Sequence, residues 1–269
     1  MKTAIYQYWD GAQCSGNDAG SFAMSTYAKK IGADYFYDDN PKFVTGLGQY
    51  SPHYGAFKPL FDTRFDDYDY ILFADTDVWP VEHITENIFN QFVGTDVEIG
   101  ICEEVEQPAI RQTVDVGGIN SANDKRWLQM IESTFQVKLP VTDDGLPKVY
   151  NSGVVVYSKA GRLKARQNFI WFTKYVSMVQ AIGLPSFYTC DQPYLHAMLE
   201  VGKFNWVTMD SKWNSTVHYV PKTTGNPRPV VDLRTPQTNF VHVQLNGKHH
   251  FSASKLWDIT NLPVDQWKL

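Results

Sequence analysis

The chain of 269 residues carries 24 Lys+Arg against 29 Asp+Glu, a formal net charge of −5, with 43% hydrophobic and 20% charged residues. Such a composition is globular rather than disordered, and net acidity without a Lys/Arg cluster argues against nucleic acid as a partner. No apolar run approaches the roughly 18 residues that a membrane span needs, so no transmembrane segment is expected.

The chain starts with Met1-Lys2 and enters a strand at Thr3–Tyr8 with no signal-peptide segment before it. Together with three widely spaced cysteines, Cys14, Cys102 and Cys190, this points to a reduced, cytoplasmic protein. Ser21–Ile31 has helical spacing and stops at Gly32; Asp34–Tyr37 is a second short strand, and a helix starts within His53–Phe61. Tyr68–Ala74 (YDYILFA) is a nearly continuous apolar run, the signature of a strand buried on both faces. The helical stretch Glu86–Phe92 precedes a further strand, Val97–Cys102. This alternation predicts βαβ units and a mainly parallel sheet.

Beyond it lie a helix over Lys125–Phe135, a strand over Lys148–Tyr157, a long amphipathic helix over Leu163–Ala181, and a turn-rich surface loop from Pro221 to Pro236. No repeat or clear linker interrupts the chain. The expectation is one α/β domain over 1–269, in two halves (1–105 and 106–269), with a variable C-terminal part.

The acids are 21 Asp and only 8 Glu. Asp favours turns, caps and metal shells over helix surfaces, so the excess hints at a cation site. The segment that locates it is Phe73-Ala74-Asp75-Thr76-Asp77-Val78-Trp79-Pro80. A buried strand delivers two carboxylates to its C-terminal end, where open α/β sheets bind ligands. Residues i and i+2 of an extended segment face the same side, and two such charges repel unless a cation lies between them. Hard oxygens suit Mg²⁺ or Mn²⁺. Two enzyme classes place D-x-D after a strand: phosphatases with an aspartyl nucleophile, here Asp75 with Asp77 as acid/base, and metal-dependent nucleotide-sugar glycosyltransferases. A non-catalytic carbohydrate-binding protein is a third reading.

Downstream segments come in a recognisable order. Lys58 precedes the D-x-D strand, Asn151-Ser152-Gly153 opens an apolar strand, and Asp191-Gln192 opens a helix. Trp213-Asn214 follows, and His242 precedes Lys248 by six residues. This order resembles the GT-A-fold glycosyltransferases related to glycogenin and the bacterial lipopolysaccharide galactosyl- and glucosyltransferases. It departs from them in the position of Gly247 and in His249-His250, which stand where the family has Pro-Trp.

The resemblance implies a GT-A-type, Rossmann-like sheet flanked by helices, and hexose transfer from a UDP-sugar to a glycan or other hydroxyl acceptor with retention. It further implies that His242 joins Asp75 and Asp77 on the metal, with Mn²⁺ favoured over Mg²⁺ because the shell includes an imidazole. Lys248 would neutralise a phosphate. Asn151 and Gly153 would face the sugar, Gln192 would lie near the reacting carbon, and Asp191 would bind hydroxyls or, in an inverting course, act as general base. Lys58, Trp213 and Asn214 would contribute to substrate binding, and Tyr8 (or Tyr6 or Asp10) at the end of the first strand would meet the base.

Overall fold

The computed structural model describes residues 1–219 and 230–267. Strand β1 (Thr3–Trp9) leads into helix α1 (Ser15–Ile31), which starts earlier than its apolar spacing suggests and ends at Gly32. Then come β2 (Asp34–Asp39), a 3-10 segment over Gly48–Phe57, the short helix α2 (Lys58–Phe61), β3 (Tyr70–Ala74) and β4 (Val78–Pro80). The helix expected over Glu86–Phe92 is only a 3-10 turn at Ile88–Phe92, started by the Asn87 side chain accepting from Phe89 N. Strand β5 (Ile99–Glu103) is followed by α3 (Gln107–Thr113), α4 (Ser121–Phe135) and β6 (Tyr150–Ser158).

The long helix expected over Leu163–Ala181 is two helices, α5 (Lys159–Asn168) and α6 (Phe172–Ala181). Phe169 and Trp171 between them are extended. Phe169 leaves the helix to pack edge-on against Phe57, Tyr194 and Phe204, and Tyr194 Oη donates to Ile170 O at 2.7 Å. The chain closes with α7 (Asp191–Val201), β7 (Trp206–Met209), β8 (Ser215–Tyr219), β9 (Val230–Asp232), β10 (Phe240–Gln244) and α8 (Ala253–Asn261). Most of the expected loop from Pro221 to Pro236 lies outside the described residues, and Val230–Asp232 within it is strand β9.

The main sheet has six strands in the order β2-β1-β3-β6-β5-β7. All neighbours are parallel except β6, which runs antiparallel to both β3 and β5. Side chains alternate between two cores. Ala4, Tyr6, Ile71, Phe73, Val155 and Tyr157 enter one; Ile5, Leu72, Ala74, Val154 and Val156 enter the other. A sheet covered on both faces explains the uninterrupted apolar runs of β3 and β6. The reversal of β6 also has a positional effect: its first residues, Asn151–Gly153, stand at the same sheet edge as the C-terminal ends of β1 and β3. There the β5–β6 register shifts, from Ile101 opposite Val155 to Cys102 opposite Asn151, so Ser152 and Gly153 leave the β5 ladder beside the site.

A second sheet, in the order β4-β10-β8-β9, grows from the chain just past Asp77. Strand β10 pairs antiparallel with β4, placing His242 opposite Val78, and Val243 N donates to Asp77 O at 2.9 Å. This mixed α/β architecture is a GT-A fold. No helix among the described residues is long and apolar enough to cross a membrane.

Candidate active site

Strand β1 lies between β2 and β3, so the chain turns in opposite directions on its two sides, the place where open α/β sheets form a ligand crevice. An open cleft of about 390 Å³ occupies that edge. Tyr8, Trp9 and Asp10 come to it from β1, Asp75–Asp77 from β3, Asn151–Gly153 from β6, Asp191 and Gln192 from α7, and His242, Lys248 and His249 from the C-terminal segment.

The D-x-D segment is held by Gly153, Gln7 and Asn17. Asp75 N donates to Gly153 O at 2.9 Å, and the buried Gln7 donates through Nε2 to Asp75 O at 2.8 Å. Tyr35 Oη fixes Gln7 by donating to its Oε1 at 2.8 Å. Thr76 Oγ1 donates to Asn17 on α1, which passes so close that a Cβ on Gly20 would stand 1.8 Å from Thr76 O. Only a residue without a side chain lets the helix rest there.

Asp75, Asp77 and His242 each offer one ligand atom, all within 4.8 Å of one another. His242 Nε2 is 3.3 Å from Asp77 Oδ1, and Lys248 Nζ donates to Asp77 Oδ2. Burial works against the Asp77 carboxylate, but Lys248 and then His242 outweigh it and hold its pKa well below the carboxylate range. At Asp75 the balance reverses: burial and the Asp77 charge outweigh the relief from His242 and Lys248 and push its pKa up to about 7. The His242 ring is itself buried, which disfavours its charge, yet Asp77 raises its pKa above the usual value. A carboxylate short of positive charge, beside a second carboxylate and an imidazole nitrogen, is a donor set that fits a divalent cation.

The ring of His242 is aimed by a chain of side chains. His242 Nδ1 donates to Asn214 Oδ1 at 3.0 Å, Asn214 Nδ2 donates to Asn151 Oδ1 at 3.0 Å, and Asn151 Nδ2 donates to Glu104 at 2.6 Å. With Nδ1 occupied, Nε2 faces the aspartates, the outer-shell arrangement that fixes the tautomer of a metal-binding histidine. Asn151 Oδ1 also accepts from Gly153 N at 2.8 Å. The Asn151 amide is therefore engaged with protein on both its atoms, and Asn214 supports His242 from outside the cleft lining.

On the opposite wall Asp191, 7% exposed, accepts from Ser152 Oγ at 2.6 Å through Oδ2. Its Oδ1 lies 3.3 Å from His53 Nδ1. Burial lowers the tendency of His53 to charge, but Asp191 and then Asp75 outweigh it and raise its pKa above the ordinary histidine value. The 3-10 segment carrying His53 is fastened by Tyr8, whose Oη donates to Pro52 O at 2.8 Å and His53 O at 3.0 Å.

The structure thus brings together Tyr8, Asp75, Asp77, Asn151, Gly153, Asp191, Gln192, His242 and Lys248. Three residues expected to bind substrate are not part of the cleft lining: Asn214, which backs His242, Lys58 and Trp213. Lys58 is bound to Asp38 at 2.5 Å, beside Arg64, and does not line the cleft. Trp213 is 3% exposed and packs edge-on against Phe240 at 5.2 Å between ring centres, because its 3-10 turn points the indole into the core. Sequence reasoning missed His53, Ser152 and Glu104. Ser152 sits inside the Asn-Ser-Gly motif and was within reach of the pattern; His53 and Glu104 carry no local signal.

No family model matches the sequence, and a search of the curated proteins finds no match. Among solved structures, the chain is similar to a glycosyltransferase involved in the glycosylation of the major capsid of PBCV-1. The TM-score is 0.51 at 11% identity, covering 97% of this chain and 98% of that one. It is also similar to the galactosyltransferase LgtC in complex with donor and acceptor sugar analogs, at 12% identity over 98% of both chains with a TM-score of 0.48. At such identities the likeness is one of fold.

Proposed function

We propose that the protein is a metal-dependent glycosyltransferase that moves a hexose from a UDP-sugar to a glycan or other hydroxyl acceptor. The observation that carries this reading is the Asp75–Asp77–His242 cluster at the carboxyl edge of a GT-A sheet, with Lys248 on Asp77 and Asp191 on the opposite wall of one cleft. The motif order that resembles the glycogenin and lipopolysaccharide transferases supports the UDP-sugar donor and retention at the anomeric carbon.

Asp75, Asp77 and His242 would hold the cation, Mn²⁺ in preference to Mg²⁺ because one donor is an imidazole. When bound, the cation offsets the negative charge that develops on the leaving diphosphate. Lys248 neutralises Asp77 in the structure; once a cation takes over that task, its ammonium is free to pair with a phosphate. Gly153 lets His242 and Asp75 close over the sheet edge beside the proposed sugar position. Residues 1–105, read as the nucleotide-binding half, supply Tyr8, Asp75 and Asp77, while residues 106–269, read as the acceptor-binding half, also supply His242 and Lys248 on the donor side.

The test is incubation with UDP-glucose or UDP-galactose, Mn²⁺ and a panel of hydroxyl acceptors, reading UDP release and the anomeric configuration of the product. UDP release that vanishes in Asp77→Ala and His242→Ala supports the reading. Hydrolysis of phosphate monoesters without any nucleotide sugar would replace it with an aspartyl phosphatase, and sugar binding without turnover with a carbohydrate-binding protein.

A further inference from the structure

Transfer to a hydroxyl leaves a proton to be removed, and most polar groups around the cleft are already committed. Asp75 and Asp77 belong to the cation cluster, and Glu104 holds Asn151. His249 is turned to Asn17 at 2.8 Å, with its ring against Trp9. Asp191 has one oxygen on Ser152 and the other on His53. His53 differs from all of these. Its Nδ1 is engaged by Asp191, while its side chain lines the cleft and is 51% exposed, so Nε2 remains for a ligand.

We propose that His53 Nε2 takes the proton of the acceptor hydroxyl, and that Asp191, itself fixed by Ser152, holds the ring in the tautomer and orientation this requires. The inference rests on the transferase reading above and deepens it. A carboxylate on Nδ1 keeps the proton there, presents the Nε2 lone pair to the cleft, and stabilises the imidazolium once formed. The acceptor O–H proton passes to Nε2 as its oxygen bonds to the anomeric carbon. The bond from that carbon to the diphosphate oxygen breaks, its electron pair leaving on the diphosphate; the imidazolium then returns its proton to solvent. This balance is the same for attack on either face of the sugar. Asp191 becomes a positioning residue in this scheme.

The experiment compares wild type with His53→Gln, His53→Ala and Asp191→Asn, using UDP-sugar, Mn²⁺ and acceptor. For His53→Gln, kcat is expected to fall by about 10²- to 10⁴-fold, the usual contribution of a general base, with donor KM and Mn²⁺-dependent UDP affinity unchanged. Added imidazole restores part of the rate of His53→Ala, and Asp191→Asn lowers kcat while retaining UDP binding. Transfer by His53→Gln at the wild-type kcat overturns the assignment and leaves the transferase reading intact. A fall in kcat accompanied by loss of UDP affinity, with no rescue of His53→Ala by imidazole, also overturns it, making His53 a structural support of the cleft. Absence of UDP release by wild type with every donor overturns the transferase reading itself, and this inference with it.

Discussion

A Cβ placed on Gly153 would stand 2.6 Å from Cε1 of His242 and 2.9 Å from Oδ2 of Asp75. Strand β6 and strand β10 belong to different sheets, yet they meet here with no space for a methyl group. Gly153→Ala must displace the imidazole or the carboxylate, and the two are ligand atoms of one cluster. We expect Mn²⁺-dependent UDP affinity to fall by about 10-fold or more, while stability drops by about 1–3 kcal/mol from overpacking. Calorimetric titration with UDP and Mn²⁺, beside a denaturant melt, measures both. Wild-type affinity in a folded Gly153→Ala protein would contradict the cluster.

Asn214 does not itself line the cleft but backs two residues that do, fixing His242 through Nδ1 and donating to Asn151 Oδ1. Asn214→Ala frees the ring and should weaken the cation by about 10- to 100-fold, the range seen when outer partners of a metal-binding histidine are removed. Titration of Mn²⁺ followed by electron paramagnetic resonance reads this without any substrate. An unchanged Mn²⁺ affinity would show that the ring is held by packing alone.

Lys58 and Arg64 share the Asp38 carboxylate, Arg64 through two nitrogens at 3.0 and 2.6 Å. Burial of Asp38 is outweighed by these two cations, which hold its pKa below the usual range. Because Arg64 keeps Asp38 paired, Lys58→Met is expected to cost about 1 kcal/mol of stability and to leave UDP affinity unchanged. A marked loss of UDP binding in this variant would return Lys58 to the substrate site.

His196 on α7 is 4% exposed, packs its ring against Trp127 and Tyr150, and has its Nε2 buried with no hydrogen-bond partner among the described residues. Burial, and to a smaller degree Arg111, lowers its pKa from 6.5 to about 3. The folded protein therefore resists a proton that the unfolded chain accepts below pH 6.5. Stability from this group is complete above pH 6.5 and lost progressively as the pH falls toward 3. Between pH 7 and pH 5 the loss amounts to about 2 kcal/mol. Urea melts at the two pH values should show a smaller difference in His196→Phe than in wild type; equal differences would assign the acid sensitivity to other groups.

The parts of the fold that were legible are those whose neighbours impose a local pattern. Strand β3 reads as an apolar run because both its faces are covered, and the aspartates after it stand out against that run. Asp191-Gln192 is visible as the first turn of α7. The break between α5 and α6 was not, since neither Gly nor Pro marks Phe169–Trp171 and the apolar spacing continues through it; the core and Tyr194 make that break. His53 was equally hidden. Its meaning comes from Asp191, a residue far along the chain that no spacing rule connects to it. Trp213 was expected to bind substrate through its place in the motif order, but an aromatic ring suits a core as well as a ligand, and here it is core.

Strand β10 brings His242 to the aspartates by pairing with β4, three residues just past Asp77. During synthesis the acid pair would therefore leave the ribosome long before the imidazole and the ammonium that offset its charge. Until Phe240–Gln244 has docked, Asp75 and Asp77 face each other with neither His242 nor Lys248 beside them. A shift of β10 by one residue against β4 would turn His242 to the opposite face. The cation site is thus a late product of folding, and divalent ions should speed or stabilise the final docking step more than the formation of the main sheet.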